Sequence, residues 1–212
     1  MIDTQYIFGL GVGRCGTMSL AHLLNSQADS SIGHEQMPIH WWPIAGDFPK
    51  ARDILLEKAK DHAFVGNVSY CWMQYVPDII SSFPNAKFIY IWRDKEEVVE
   101  SFWLRNQDRR DSDLIQPQLW LSQYPFLRYP PTKDAISDTY DMYEAMAHVL
   151  TFKYPGRIYY INIGSLNEDE NIHKLLSFVG VPRETQVIEK TKMNVGGQAP
   201  IKFTRIRNVP SR

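Results

Sequence analysis

The sequence predicts an α/β domain in which a central, mostly parallel sheet is covered by helices on both faces. Three observations lead there. Short apolar runs of strand length alternate with longer stretches of helical period. The first run ends in a glycine-rich turn that opens directly into a helix pattern. The 212 residues are 44% hydrophobic and 22% charged, the composition of one soluble globular domain with a sizeable core. Such alternation builds βαβ units, whose crossover helices bury a parallel sheet from both sides.

Tyr6–Leu10 (YIFGL) is the first buried strand. Thr17–Asn25 follows as a helix, with Met18, Leu20, Ala21 and Leu24 at helical spacing and Thr17 near its start as a cap. Ser30–His34 (SSIGH) makes a poor strand, with one large apolar residue. Ala51–His62 reads as an amphipathic helix, Ala63–Val68 as a strand and Pro77–Ser82 as a short helix. Lys87–Trp92 (KFIYIW) is the clearest buried strand, with Glu96–Asn106 the helix behind it. Four prolines break up Gln107–Lys133, an irregular insertion. Ala135–Phe152 is helical, Arg157–Ile163 a strand, and Asn171–Val179 a helix that stops at Gly180 with Pro182 beyond. Residues 1–212 form a single domain on this reading.

The formal net charge of -1 creates no global field to recruit nucleic acid or an anionic membrane, so neither partner is expected. Charge is uneven locally. Residues 190–212 hold six Lys/Arg and no acid, which fits a solvated tail or an anion-binding loop. Two cysteines, Cys15 and Cys71, form no disulfide framework. The start lacks the basic and apolar pattern of a signal peptide, and no apolar run spans a bilayer, so a cytoplasmic location is expected.

Ligands of open parallel sheets bind beyond the carboxyl ends of the strands. Two segments qualify, the loop after Leu10 and the turn after Trp92, and both carry arginine. In Gly11–Ser19 (GVGRCGTMS) the glycines permit a tight turn and close backbone approach. The helix start offers unpaired N–H groups and a positive dipole end. Arg14 adds a fixed charge, and Thr17 and Ser19 add hydroxyls, so a phosphate or sulfate fits. A phosphoryl-transferring loop of the Walker type needs lysine where Thr17 stands. The dinucleotide fingerprint Gly11-x-Gly13-x-x-Gly16 is matched, with Glu35 about 20 residues on, but the poor strand before Glu35 weakens it. A phosphatase loop is excluded, because Ala21 occupies its arginine position. Cys15 lies near a helix N-terminus that can depress a thiol pKa, yet reads as a loop residue rather than a nucleophile.

Gly13, Arg14, Cys15, Gly16, Thr17, Met18 and Ser19 resemble the 5′-phosphosulfate loop of sulfotransferases, with Cys15 and Met18 in place of the usual hydroxyl residues. A second motif agrees. That family has a strand ending in Arg and a helical Ser eight residues later, both on the donor's 3′-phosphate. Arg93 and Ser101 stand at that spacing, since 101 − 93 = 8. A strand-end arginine and a hydroxyl two helical turns on can converge on one phosphate. Arg105, one turn further, is similar to a basic residue of protein-tyrosine sulfotransferases. The alternative is a surface pairing of Arg93 with Asp94 or Glu97. Ile158–Pro182 resembles the family's late strand–loop–helix, with Ile163-Gly164 where a tyrosine–glutamate pair is common.

The resemblance implies a P-loop NTPase-like sulfotransferase fold, closest in motif style to the protein-tyrosine and carbohydrate types. It also implies 3′-phosphoadenosine 5′-phosphosulfate as co-substrate, with no metal required. Arg14 would stabilise the leaving phosphate. In protein-tyrosine sulfotransferases the basic loop residue and a glutamate base are separated as Arg14 and Glu35 are here, so Glu35 is the expected general base and His34 the runner-up. Alternatively Glu35 is a structural carboxylate holding Arg14. A zinc motif fails at Pro38. Many relatives carry a catalytic lysine in the segment matching Gly66–Tyr70, where this chain has none. Either Arg14 suffices, or a tail cation such as Lys192 enters, from a segment similar in position to the family's late donor-binding loop. His40-Trp41-Trp42-Pro43 fits an apolar acceptor wall or plain core. The acceptor stays open among small molecules, carbohydrates, lipids and peptides. Two rivals remain: a P-loop-like nucleotide or small-molecule kinase, and a non-catalytic nucleotide-binding protein.

Overall fold

The computed structural model describes residues 3–40, 46–110 and 132–188, with the backbone alone for 106–110. Five parallel strands form one sheet: β1 (Gln5–Leu10), β2 (Ser30–His34), β3 (Phe64–Val68), β4 (Lys87–Trp92) and β5 (Ile158–Asn162). Their spatial order is β2-β3-β1-β4-β5. The helices are α1 (Thr17–Asn25), α2 (Asp47–Lys58), α3 (Val76–Ser82), α4 (Lys95–Arg110), α5 (Lys133–Lys153) and α6 (Asp169–Phe178), with 3-10 turns at Tyr70–Tyr75, Ile163–Asn167 and Arg183–Thr185.

The period-2 alternation of each strand separates two cores. Phe8, Leu10, Val65, Phe88 and Tyr90 face one side, where they pack with Trp72, Tyr75, Ala51, Leu55, Val98, Tyr143 and Ala147. Ile7, Ile32, Val68, Ile89, Ile91 and Ile161 face the other, against Leu20, Leu24, Ile172 and Leu175 of α1 and α6. The expected α/β architecture is therefore observed. Close approach in the central strands has a steric signature: a Cβ on Gly66 would lie 1.7 Å from the Ile7 carbonyl oxygen.

Several expectations are corrected. Ser30–His34 is a strand, paired to β3 from Ser30↔Phe64 to His34↔Val68. It sits at the sheet edge, where one buried apolar residue, Ile32, is enough to anchor it. The helix expected over Ala51–His62 runs Asp47–Lys58 instead. Pro49 lies in its first turn, where a missing N–H costs nothing, and the chain turns back after Ala59. The 3-10 turn Tyr70–Tyr75, capped by Ser69 Oγ accepting from Cys71 N, was not anticipated. α4 continues to Arg110, so the irregular insertion does not begin at Gln107. The rest of that insertion, and Lys192 with the basic segment, lie outside the described residues.

Strand order also revises the dinucleotide comparison. In dinucleotide-binding sheets β2 lies directly beside β1. Here β3 intervenes, which puts the end of β2 and Glu35 about 10 Å to the side of β1. Topology, not a missing strand, removes that reading.

Candidate active site

The winding reverses around β1, with β3 on one side and β4 on the other. The loop 11–16 rises from β1 at this switch point, and Arg93 follows β4 beside it, Leu10 being paired with Tyr90. Both arginine-bearing segments thus leave adjacent strand ends.

The loop is held from below and behind. Gly11 N donates to Tyr143 Oη at 3.4 Å, and Tyr143 Oη donates to the Tyr70 carbonyl at 2.7 Å. Cys15 N donates to the Val12 carbonyl. Gly16 is the residue before α1, at φ 92, and a Cβ there would lie 2.1 Å from Ile163 Cδ1. No side chain caps α1 and its first turn holds no acid, so its N–H groups and positive dipole end face the loop. That is an anion-binding arrangement.

Arg14 adopts a left-handed backbone, φ 76, and its Nε–H donates to Ser101 Oγ on α4 at 3.0 Å. The arginine assigned to the leaving phosphate and the serine assigned to the 3′-phosphate thus touch across 87 residues of sequence. Nothing in the sequence pattern revealed this. Arg93 shows the alternative weighed for it: its Nε–H donates to Glu97 Oε2 at 2.6 Å. Asp94 Oδ1 accepts from Glu97 N, capping α4. The Arg93 carbonyl accepts from Tyr140 Oη at 2.7 Å, which fixes the strand end. Arg105 is exposed on α4 beyond Ser101. Met18 is half-buried and Ser19 buried in the first turn of α1.

Cys15 is 1% exposed, and burial pushes its thiol up to about 12, although the Arg93 backbone and charge act against this. The expected pull of the helix N-terminus is outweighed by desolvation, so Cys15 packs rather than attacks.

Just after β2, Glu35 has φ 52, left-handed as Arg14 and Asp29 are, and its N–H donates to the Val68 carbonyl at 3.1 Å. Its side chain is 47% exposed. His34 Nε2 lies 3.0 Å from Thr17 Oγ1 and 3.9 Å from Glu35 Oε1. Burial pushes the His34 pKa down, with Glu35 opposing. His34, the runner-up base of the sequence reading, is thus in contact with the first residue of α1. His40 Nδ1 is 2.7 Å from the buried Asp47 Oδ2, while Trp41, Trp42 and Pro43 lie outside the described residues. Ser69, the residue after β3, is buried, and the segment Gly66–Tyr70 holds no lysine.

A family model described as a sulfotransferase domain matches residues 6–153. The chain belongs to the sulfotransferase family. The crystal structure of a sulfotransferase from Alicyclobacillus acidocaldarius superimposes with a TM-score of 0.62 at 16% identity, over 87% of this chain and 83% of that one. That likeness is one of fold. No curated protein matches the sequence. The family match covers β1 through β4, the loop, Glu35, Arg93, Ser101 and α5. Among the described residues of this sulfotransferase-family chain, no helix is long and apolar enough to cross a membrane, and no three His, Cys, Asp or Glu side chains group around a metal position.

Proposed function

We propose that the protein transfers a sulfuryl group from 3′-phosphoadenosine 5′-phosphosulfate to a hydroxyl or amine acceptor. The observation that carries the reading is the Arg14–Ser101 hydrogen bond. It brings the loop suited to a phosphosulfate against the helix suited to a 3′-phosphate, which supports a ligand carrying both anions on one ribose.

In this reading the loop amides and Arg14 hold the phosphosulfate, and Arg14 neutralises charge as the phosphate leaves. By analogy with phosphoryl transfer, in-line displacement needs positioning and charge stabilisation more than covalent chemistry. Ser101, Arg93 and Arg105 receive the 3′-phosphate; Arg93 must release Glu97, or share it, to do so. Glu35, exposed at the strand end, takes the acceptor's proton. The S–O bond to the phosphate breaks as the acceptor–sulfur bond forms, and the bisphosphate departs.

A thermal-shift panel tests the donor. Stabilisation by 3′-phosphoadenosine 5′-phosphate, and not by NAD or ATP with Mg²⁺, is expected. At ligand near 100 times Kd the gain is about 2.7 kcal/mol, worth roughly 5–11 °C in a domain of this size. Stabilisation by ATP with Mg²⁺ and none by the bisphosphate overturns the reading.

A further inference from the structure

His34 and Thr17 meet at the edge of the anion loop. Thr17 is the first residue of α1 and occupies the position where a Walker loop has its lysine. It is buried at 7% exposure, and its Oγ1 lies 3.0 Å from His34 Nε2. The direction of that hydrogen bond decides what the loop presents to an anion. If a bare Nε2 accepts from Thr17, the hydroxyl proton points at the ring and an oxygen lone pair faces the anion. If Nε2–H donates to Thr17, the hydroxyl proton is freed for the anion.

The charges at this end favour the second arrangement once a ligand is present. A terminal phosphate brings about −1.5 to −2 charges near neutrality. Among the described residues, Arg14 and the partial charge of the α1 N-terminus stand against it, with Glu35 adding a further negative charge. No lysine occurs in Gly66–Tyr70 to add a second full positive charge. An anion hydrogen-bonded to Thr17 comes within about 6 Å of the imidazole, one hydrogen bond beyond the 3.0 Å contact. The groups facing His34 are few. Among the described residues, Thr17 from α1 and Val68 from β3 are uncharged, and Glu35, which follows β2, is the charged neighbour that acts on it. Cys71, near Glu35, is kept neutral by burial, which pushes its thiol up to about 11.

Building on the donor assignment proposed above, we propose that His34 takes up a proton from solvent when the 5′-anion enters the loop. Its Nε2–H then donates to Thr17 Oγ1, turns the Thr17 hydroxyl onto the anion, and supplies the second positive charge at that end of the site. His34 is thereby a positioning residue for the donor, not the acceptor's base. In the ligand-free protein burial holds the ring neutral, and the incoming anion reverses that preference. Donor affinity therefore rises as pH falls between the free and bound pKa values of His34.

The test is calorimetric titration of 3′-phosphoadenosine 5′-phosphate into the protein at about pH 7, in buffers of different ionisation enthalpy. Wild type should take up close to one proton more than His34→Gln, a comparison that cancels the ligand's own ionisation. Thr17→Val should lose most of the same difference. The ring-nitrogen NMR signals of His34 in wild type give a readout independent of any variant: one nitrogen protonated when free, both in the complex. Binding with no proton difference, or a His34 ring still neutral in the complex, overturns the inference while leaving the donor assignment intact. Failure of the bisphosphate to bind at all overturns the donor assignment, and this inference with it.

Discussion

Arg14 and Glu35 share a property that side-chain chemistry alone does not show: both hold a left-handed backbone without being glycine. Such conformations cost of the order of 1–3 kcal/mol and persist where the surroundings over-determine them. Arg14 is fixed by the loop and by Ser101, Glu35 by pairing to Val68. If Glu35 is the base, Glu35→Gln keeps bisphosphate affinity and lowers transfer by about 10²–10⁴-fold, measured with labelled donor against an acceptor panel. Undiminished transfer excludes it. His34 sets a pH dependence of stability. Its folded pKa lies below the usual value near 6.5 because burial disfavours the imidazolium, so the unfolded chain binds more protons in that window. Its contribution is present above about pH 6.5 and lost as pH falls through it. Melting of ligand-free wild type should therefore drop more steeply on acidification than melting of His34→Gln; parallel curves would show that His34 carries no such penalty.

At the scale of elements, the loop is a junction of four pieces. β1 delivers it, α1 carries it away, Tyr143 of α5 supports Gly11, and Ile163 after β5 packs against Gly16. Gly16→Ala meets two obstacles, a φ of 92 and a 2.1 Å overlap with Ile163 Cδ1. It should destabilise the fold by about 1–3 kcal/mol in denaturant melts and weaken anion binding. Adding Ile163→Val removes Cδ1 but leaves Cγ1 at 2.8 Å, so it should recover only part of the steric cost; full recovery would mean that the backbone conformation carries no cost. The same elements show what could be read in advance. β1 and β4 announce themselves through apolar runs and α1 through helical spacing, so the loop with Arg14 and the turn with Arg93 are legible as the segments beyond two strand ends. β2 was hidden because an edge strand needs few apolar residues, and SSIGH buries one. The start of α2 was hidden by Pro49, which reads as a breaker yet is harmless in a first turn. The Arg14–Ser101 and Thr17–His34 contacts depend on how distant elements dock, and local patterning carries no such information.

Across the whole molecule, the order β2-β3-β1-β4-β5 sets the division of labour. The β1–β4 junction gathers Arg14, Ser101 and Arg93, whereas the β2–β3 edge holds His34 and Glu35. In the proposed roles, the donor's anions and the acceptor's base would therefore be separated across the sheet, with the α1 N-terminus between them. If Arg93 and Ser101 receive the 3′-phosphate, Arg93→Ala and Ser101→Ala weaken the bisphosphate by about 1.5–3 kcal/mol and leave adenosine 5′-phosphate much less affected, by calorimetry. Equal losses for both ligands would remove that assignment. The backbone of Arg14 and Glu35 has one more consequence. Glycine would relax either position at no steric cost, so Arg14→Gly and Glu35→Gly each trade a reactive group for an easier backbone. A library selected for heat resistance alone would drift toward glycine at both places, and in the proposed roles its hardiest members would be the ones least able to react.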